Sequence, residues 1–349
     1  MTVAPAAAPP DERMVTAGLT RRFLQRPELG AAVGALAVFV FFAAITDAFA
    51  TPSGIANWLD AAAPLGIMAV AVALLMIGGE FDLSAGVMTA TAGLVVATLA
   101  TEYGLNVWLA FAVAIAVGLL VGFVNGIAVV RTGLPSFIVT LGMFLVLQGL
   151  NLGVTKVITG TVQVGGLDDA DGYGSARALF AATVEIFGAD VRVTVFWWIG
   201  VTALATYVLL RTRPGNWIFA VGGSAVAARG VGVPAARTKI ALFMMVSTMA
   251  ALVGTMQALR LTSVQANSGI GLEFEFIIAA VIGGCLLTGG FGSAVGAALG
   301  ALIFGMAKQG IVFAGWDSDW FMLFLGLLLL IATLLTLYVR KRAEGMNRC

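Results

Sequence analysis

Histidine is absent from all 349 residues, and charged side chains make up only 11% of them. Without histidine there is no Ser–His–Asp triad, no His-ligated haem and no His-bound metal. Cysteine is almost absent as well: Cys285 lies in an apolar run and Cys349 ends a polar tail. Two thiols so far apart in sequence argue against a disulfide framework or a zinc site. No G-x-x-x-x-G-K-[ST] occurs, so this chain does not hydrolyse ATP through a P-loop. No G-x-S-x-G nucleophile turn occurs either. The net charge is +1 with no basic stripe, which excludes nucleic acid as a partner.

What is present is apolar. Hydrophobic residues make up 60% of the chain and mean hydropathy is +1.02. A soluble domain runs near roughly 45–50% apolar and about 25% charged. A surface so poor in charge requires lipid as its solvent. A hydrocarbon core about 30 Å thick takes roughly 20 apolar residues per helix. The sequence therefore predicts an all-α polytopic transmembrane bundle of about ten helices. The predicted crossings are about 29–50, 57–78, 84–100, 106–130, 134–154, 193–211, 238–259, 274–288, 292–313 and 320–339. They form a single membrane domain over 29–340, with tails at 1–28 and 341–349. The polar tail 1–28 ahead of a run long enough to span reads as no cleaved leader.

Arginine and lysine set the orientation. Arg13, Arg21, Arg22 and Arg26 precede the first crossing, and Arg131 lies between the fourth and fifth. Arg211, Arg213, Arg229, Arg237 and Lys239 cluster between the sixth and seventh; Arg340, Lys341, Arg342 and Arg348 close the chain. With ten crossings all of these fall on one side, which places both termini in the cytoplasm. The stretch 155–192 then faces outward, with three basic residues against five acidic ones.

Three segments do not read as plain lipid-facing helix. Gly78 to Gly86 sets Glu80 and Asp82 between glycines and Ser84. Gly-Gly breaks a helix, and Asp82 or Ser84 is placed to cap the next one. Non-helical backbone at membrane depth survives only against protein or a water-filled cavity. A broken helix beside a translocation path and an ordinary capped turn at the membrane face both fit. Gly269 to Gly292 again joins carboxylates, Glu273 and Glu275, to a Gly-rich break after a short apolar stretch. Tight helix packing with an interfacial glutamate pair is the plainer alternative. Matched interruptions in the two halves of a chain point to a transporter built from two repeats, with substrate near the midplane. The third segment, 212–237, is too polar to span and too apolar for a free tail. Ser224 is placed to cap a short helix through Arg229 that Gly230 ends. Such a helix suits docking into another protein, or rests on lipid.

Four motifs together resemble one family, the inner-membrane permease subunits of bacterial ribose-type sugar ABC importers. Gly78 to Gly86 resembles its GG-x-DLS-x-G signature, with Glu80 and Phe81 in place of a shorter insert. Leu134 to Met143 resembles P-x-FI-x-TLG. Glu273 to Gly292 resembles E-L-D-x-IAA-x-x-IGG-x-x-x-x-GG-x-G, with Phe274, Phe276 and Ile278 departing and Glu275 in place of Asp. Ala220 to Val233 resembles A-x-GG-N-x-x-AA-x-x-x-GI, with Ser224 where Asn is common. The resemblance spans about residues 55–340.

The resemblance implies an importer permease that does no chemistry itself. It implies a second permease chain, in a homo- or heterodimer, and an ABC ATPase subunit that binds ATP and Mg, so that this chain holds no cofactor or metal. The ATPase is expected on a coupling helix formed by Gly222, Gly223, Ser224, Ala227, Ala228, Arg229 and Gly230. An extracytoplasmic sugar-binding protein is expected outside, on 155–192 and 261–275. Candidate path residues are Glu80, Asp82, Ser84, Asn125, Thr140, Gln148, Asn151, Glu273 and Glu275; Thr140 and Gln148, eight apart, are expected on one face. Interhelical hydrogen bonding is the plainer role for the polar ones. The same scaffold carrying a nucleoside, a quorum signal or a branched-chain amino acid is the alternative cargo reading. An ion-coupled secondary transporter using the four carboxylates, and an intramembrane enzyme, are the remaining rivals.

Overall fold

The computed structural model describes residues 27–345. Arg13, Arg21, Arg22 and Arg26 of the N-terminal tail, and Arg348 and Cys349, lie outside the described residues. Thirteen helices follow in order: α1 Pro27–Ile45, α2 Pro52–Ile77, α3 Ala85–Thr101, α4 Val107–Thr132, α5 Ser136–Thr159, α6 Tyr173–Phe180, α7 Val193–Arg211, α8 Arg213–Gly223, α9 Ala225–Gly230, α10 Ala235–Leu261, α11 Leu272–Ile282, α12 Ala294–Phe313 and α13 Trp320–Gly345. Each apolar run expected to cross contains a helix, but the run expected at 274–288 is helical only to Ile282, where Gly283-Gly284 ends it. Seven helices (α1, α2, α4, α5, α7, α10 and α12) are long and apolar enough to span. The apolar part of α13, Trp320–Ile331, and α3 are shorter, and α11 has 11 residues. The fold is an all-α polytopic membrane bundle.

The centre of the bundle is α2, whose apolar window is 83% buried against 17% for α5. A helix apolar on every side belongs in such a centre. Thr51 opens it, accepting from Gly54 N at 3.1 Å ahead of Pro52, which is pre-set for the first turn. Around α2 pack α12, α7, α11 and α10, and α10 in turn packs on α3 and α4. Gly254 permits the α10–α3 contact: a Cβ there would stand 2.0 Å from Thr89 O.

At one end of the bundle the long connection 160–192 is folded. Gln163–Val164 (β1) pairs antiparallel with Val264–Gln265 (β4), and Thr183–Ile186 (β2) with Ala189–Arg192 (β3). Asp60 on α2 ties this end together, meeting Arg192 at 3.1 Å and Arg260 at 2.8 Å. The Tyr173 hydroxyl donates to Leu259 O at 3.1 Å. Asp60 was not singled out in the sequence: one acidic residue at a span end carries no motif. At the other end lie Gly78-Gly79, the α8–α9 segment and Gly289-Gly290.

Candidate functional site: two interrupted segments and the surface helix that meets them

After α2 the chain turns at Gly78-Gly79, with Gly79 at φ +83°, and runs unwound to Ser84. Helix α5 stands beside this stretch. Phe81 N donates to Ser136 Oγ and Leu83 N to Thr140 Oγ1, both at 3.0 Å. The match is geometric. Two extended residues advance about 6.6 Å, and four helical residues about 6 Å. The N–H groups of Phe81 and Leu83, two residues apart in the unwound stretch, therefore meet hydroxyls one turn apart on the helix.

The carboxylates here are held individually. Glu80, 6% exposed, forms an ion pair and hydrogen bond with Lys239 of α10. Asp82 is fully buried; its Oδ1 accepts from Ser84 N at 2.8 Å and Ser84 Oγ at 2.5 Å. Asn125 Nδ2 donates to the same Ser84 hydroxyl at 3.0 Å. Ser84 was expected as a possible cap for α3. It makes no side-chain cap bond, because its hydroxyl bridges Asp82 to Asn125 instead. Asp82 Oδ2 and Asn125 Oδ1 are buried without a hydrogen-bond partner.

The second interruption lies against the first. Glu273, 3% exposed, folds back to accept from Gly271 N at 3.1 and 3.2 Å, and its Oε2 lies where a Cβ on Gly86 would stand, 2.3 Å away. Glu275, one face away on α11, interacts electrostatically with Lys308 of α12. Helix α11 then ends at Gly283-Gly284, and Cys285 beyond it is a buried free thiol. Thus Glu80, Asp82, Ser84, Asn125 and Thr140 form one connected region with Ser136 and Lys239, and Glu273 adjoins it at Gly86. Ser136 and Lys239 were missed as site residues. Ser136 stood in a quoted motif, but nothing in the sequence paired it with Phe81. Lys239 was counted only as a topology charge.

Gln148 and Asn151 stand apart. Thr140 is fully buried while Gln148 is half-buried. Eight residues overshoot two turns of 3.6 by about 80°, so the two do not share a face. Asn151 is buried, with Nδ2 unpartnered.

The surface segment is built as its residue types dictate. Thr212 opens α8, accepting from Gly215 N at 3.3 Å, and Ser224 opens α9, accepting from Ala227 N at 3.2 Å. Gly223, Ser224, Ala227, Arg229 and Gly230 are exposed. Ala228 is buried against Val221 and Ala235 and so fastens α9 to the bundle. Gly222 has the opposite role from its neighbour. A Cβ on Gly222 would stand 1.7 Å from Ile77 O and 2.7 Å from Gly290 N, whereas one on Gly223 meets nothing within 4 Å. Gly290 N itself donates to Ile77 O at 2.8 Å. Gly289, at φ +79°, would place a Cβ 2.7 Å from Gly79 Cα and 2.9 Å from Gly222 O. Three glycine pairs from distant parts of the chain thus meet backbone to backbone.

Comparison with known proteins shows the chain's family. Residues 54–333 match the model of the family described as branched-chain amino acid transport system / permease component. The chain is 31% identical over 303 residues to the ribose import permease protein RbsC of Escherichia coli strain K12, covering 86% of this chain and 91% of that protein. It is 33% identical over 285 residues to the fructose import permease protein FrcC of Rhizobium meliloti, covering 82% and 78%. It is 30% identical over 329 residues to the probable ABC transporter permease protein YphD of Escherichia coli strain K12, covering 92% of each. No solved structure matches the chain. With most of its length matched, the chain belongs to the branched-chain amino acid transport system / permease component family.

Proposed function

We propose that this chain is the membrane-spanning subunit of an ATP-driven importer that carries a monosaccharide or related polyol across a bacterial inner membrane. The names of the relatives favour sugar over the amino acid of the family's description: they include import permeases for ribose and fructose. Two such chains form the path, both termini face the cytoplasm, and an extracytoplasmic binding protein delivers the sugar at the folded 160–192 end. ATP and Mg are held by a separate ATPase subunit, which docks on α8–α9.

One observation carries the coupling part of this reading: the meeting of Gly222 with Ile77 and Gly290. A surface helix that only rested on lipid has no need of backbone contact with both interruptions. Here a push on α9 passes through Gly222 to the turn after α2 and the turn after α11 without an intervening flexible side chain. The same two interruptions hold Glu80, Asp82, Ser84, Glu273 and Glu275, with Asn125 and Thr140 bonded to the first. In this proposal these residues, with Gln148 and Asn151, border the path. They act by changing the relative stability of its inward-open and outward-open states.

The test is co-expression with the neighbouring ATPase and binding-protein genes, followed by affinity purification and transport in proteoliposomes. Wild-type chain is expected to bring a P-loop ATPase with it. Ala227→Glu and Gly223→Asp, both at exposed positions, are expected to lose the ATPase while still inserting in the membrane. A chain that purifies alone and moves substrate under an ion gradient would overturn the proposal and make the carboxylates an ion-coupling set.

A further inference from the structure

Between α7 and α12 the lipid-facing surface folds inward into an elongated groove of about 630 Å³. Its α7 wall runs from Trp198 to Arg211, about 20 Å at 1.5 Å per residue. Its α12 wall runs from Val295 to Leu302. A hydrocarbon core is about 30 Å thick, so the α7 wall is long enough to hold the acyl chains of one leaflet. The groove opens among side chains built for lipid, with Ile199 58% and Leu210 68% exposed.

The hydroxyls in the wall do not call for a polar occupant. Thr202 Oγ1 donates to Trp198 O at 2.8 Å and Thr206 Oγ1 to Thr202 O at 2.7 Å, so both are satisfied within their own helix. The one charge is Arg211 at the end of the groove. No carboxylate lines the groove, and Arg211 has no ion pair among the described residues. Tyr207 stands one turn before it, a residue type typical of the membrane–water interface.

An apolar slot closed by an unpaired guanidinium has the charge pattern of a phospholipid in reverse. A second copy of the chain does not complement it. A two-fold axis along the membrane normal sets equal depths against each other, so a second copy would bring its own Arg211 to the same level and add a like charge there. A phosphate diester supplies the missing anion and accepts from the guanidinium fork. We propose that this groove holds an acyl chain of an anionic phospholipid, with the headgroup phosphate on Arg211. The assignment rests on the chain's being a membrane protein and is independent of its cargo.

Native mass spectrometry tests it on the full chain released from nanodiscs of equal phosphatidylglycerol and phosphatidylcholine. Wild type is expected to retain one lipid, phosphatidylglycerol about fivefold over phosphatidylcholine, as one basic residue at a membrane surface provides. Arg211→Gln is expected to abolish that preference while keeping a lipid bound. Ala203→Trp, at an exposed position in the wall, is expected to displace the lipid with the protein still monodisperse. No retained lipid, a headgroup preference unmoved by R211Q, or retention unmoved by A203W would overturn the assignment. So would a disulfide between two copies carrying Ala203→Cys in the bilayer.

Discussion

The two interruptions solve one problem by different means. Both carry carboxylates and glycines into the bundle, and both must keep their backbone groups bonded away from water. The Glu80–Ser84 stretch is unwound and leans on other helices: Phe81 N and Leu83 N donate to Ser136 and Thr140 of α5, while Lys239 of α10 donates to Glu80 and Asn125 of α4 to Ser84. The Gly269–Gly292 stretch keeps most of its bonding within itself. Helix α11 closes its own ladder, and Glu273 caps back onto Gly271. The first is therefore exposed to changes elsewhere in the chain, and the second to changes in its own residues. Gly222 touches both, at Ile77 and at Gly290.

The largest effect is expected where the two meet. Gly222→Val has no room, because its Cβ alone would overlap Ile77 O at 1.7 Å, and the neighbours are backbone. Overpacking of this kind costs about 1–3 kcal/mol or more, and here it pries the surface helix from both turns. Transport in proteoliposomes should fall to background, with a lowered melting temperature in detergent. Gly223→Val, next in sequence but facing open space, should keep the melting temperature within a few degrees. Equal loss of melting temperature from both would show that the glycine contact has no special part.

Most of this architecture was legible before the coordinates. Apolar run lengths located the helices, though only seven of the ten expected crossings are long and apolar enough to span among the described residues, and Ser224 caps α9 as its residue type predicts. The Gly-Gly breaks marked both interruptions. What was not legible is who meets whom. Nothing in a linear pattern joins Glu80 to Lys239, 159 positions away, or Gly222 to Gly290. Asp60 escaped notice for the same reason: its two arginines come from residues 192 and 260. The hydroxyl at Ser84 was misassigned because capping is a local rule. The buried Asp82 and Asn125 on either side outweigh it.

Next in size is the ion pair of the first interruption. Lys239→Met leaves Glu80 buried without its cation, and an uncompensated buried charge costs about 3 kcal/mol. Lys239 retains 22% side-chain exposure, so water relieves part of this and about 1–2 kcal/mol is expected. The double variant Glu80→Gln with Lys239→Met should regain much of that loss. Chemical denaturation of the four variants in micelles gives the coupling. A coupling near zero would mean that the pair contributes nothing in the membrane.

The borrowed hydroxyl gives a sharper contrast. Thr140→Val preserves volume and removes the only side-chain acceptor that Leu83 N is seen to use. A buried donor left unpaired costs about 1–3 kcal/mol. Thr140→Ser keeps the hydroxyl and should cost well under half as much. In the second interruption the matching change is Glu273→Gln, which keeps an oxygen facing Gly271 N.

That last substitution has the smallest expected effect and bears most directly on the comparison. Gly271 N needs an acceptor, and a glutamine carbonyl oxygen serves, since the site uses both carboxylate oxygens at similar distances of 3.1 and 3.2 Å. Glutamine also removes a charge from a buried position against Gly86, where a net cost or gain depends on how well the carboxylate is compensated. A self-contained cap predicts a change in unfolding free energy within about 1 kcal/mol and transport near wild type. A large loss of transport with stability unchanged would place the negative charge of Glu273 in the transport cycle itself. The second interruption would then be more than a structural counterpart of the first, and Glu273 would act on the path through its charge and not only through its place beside Gly86.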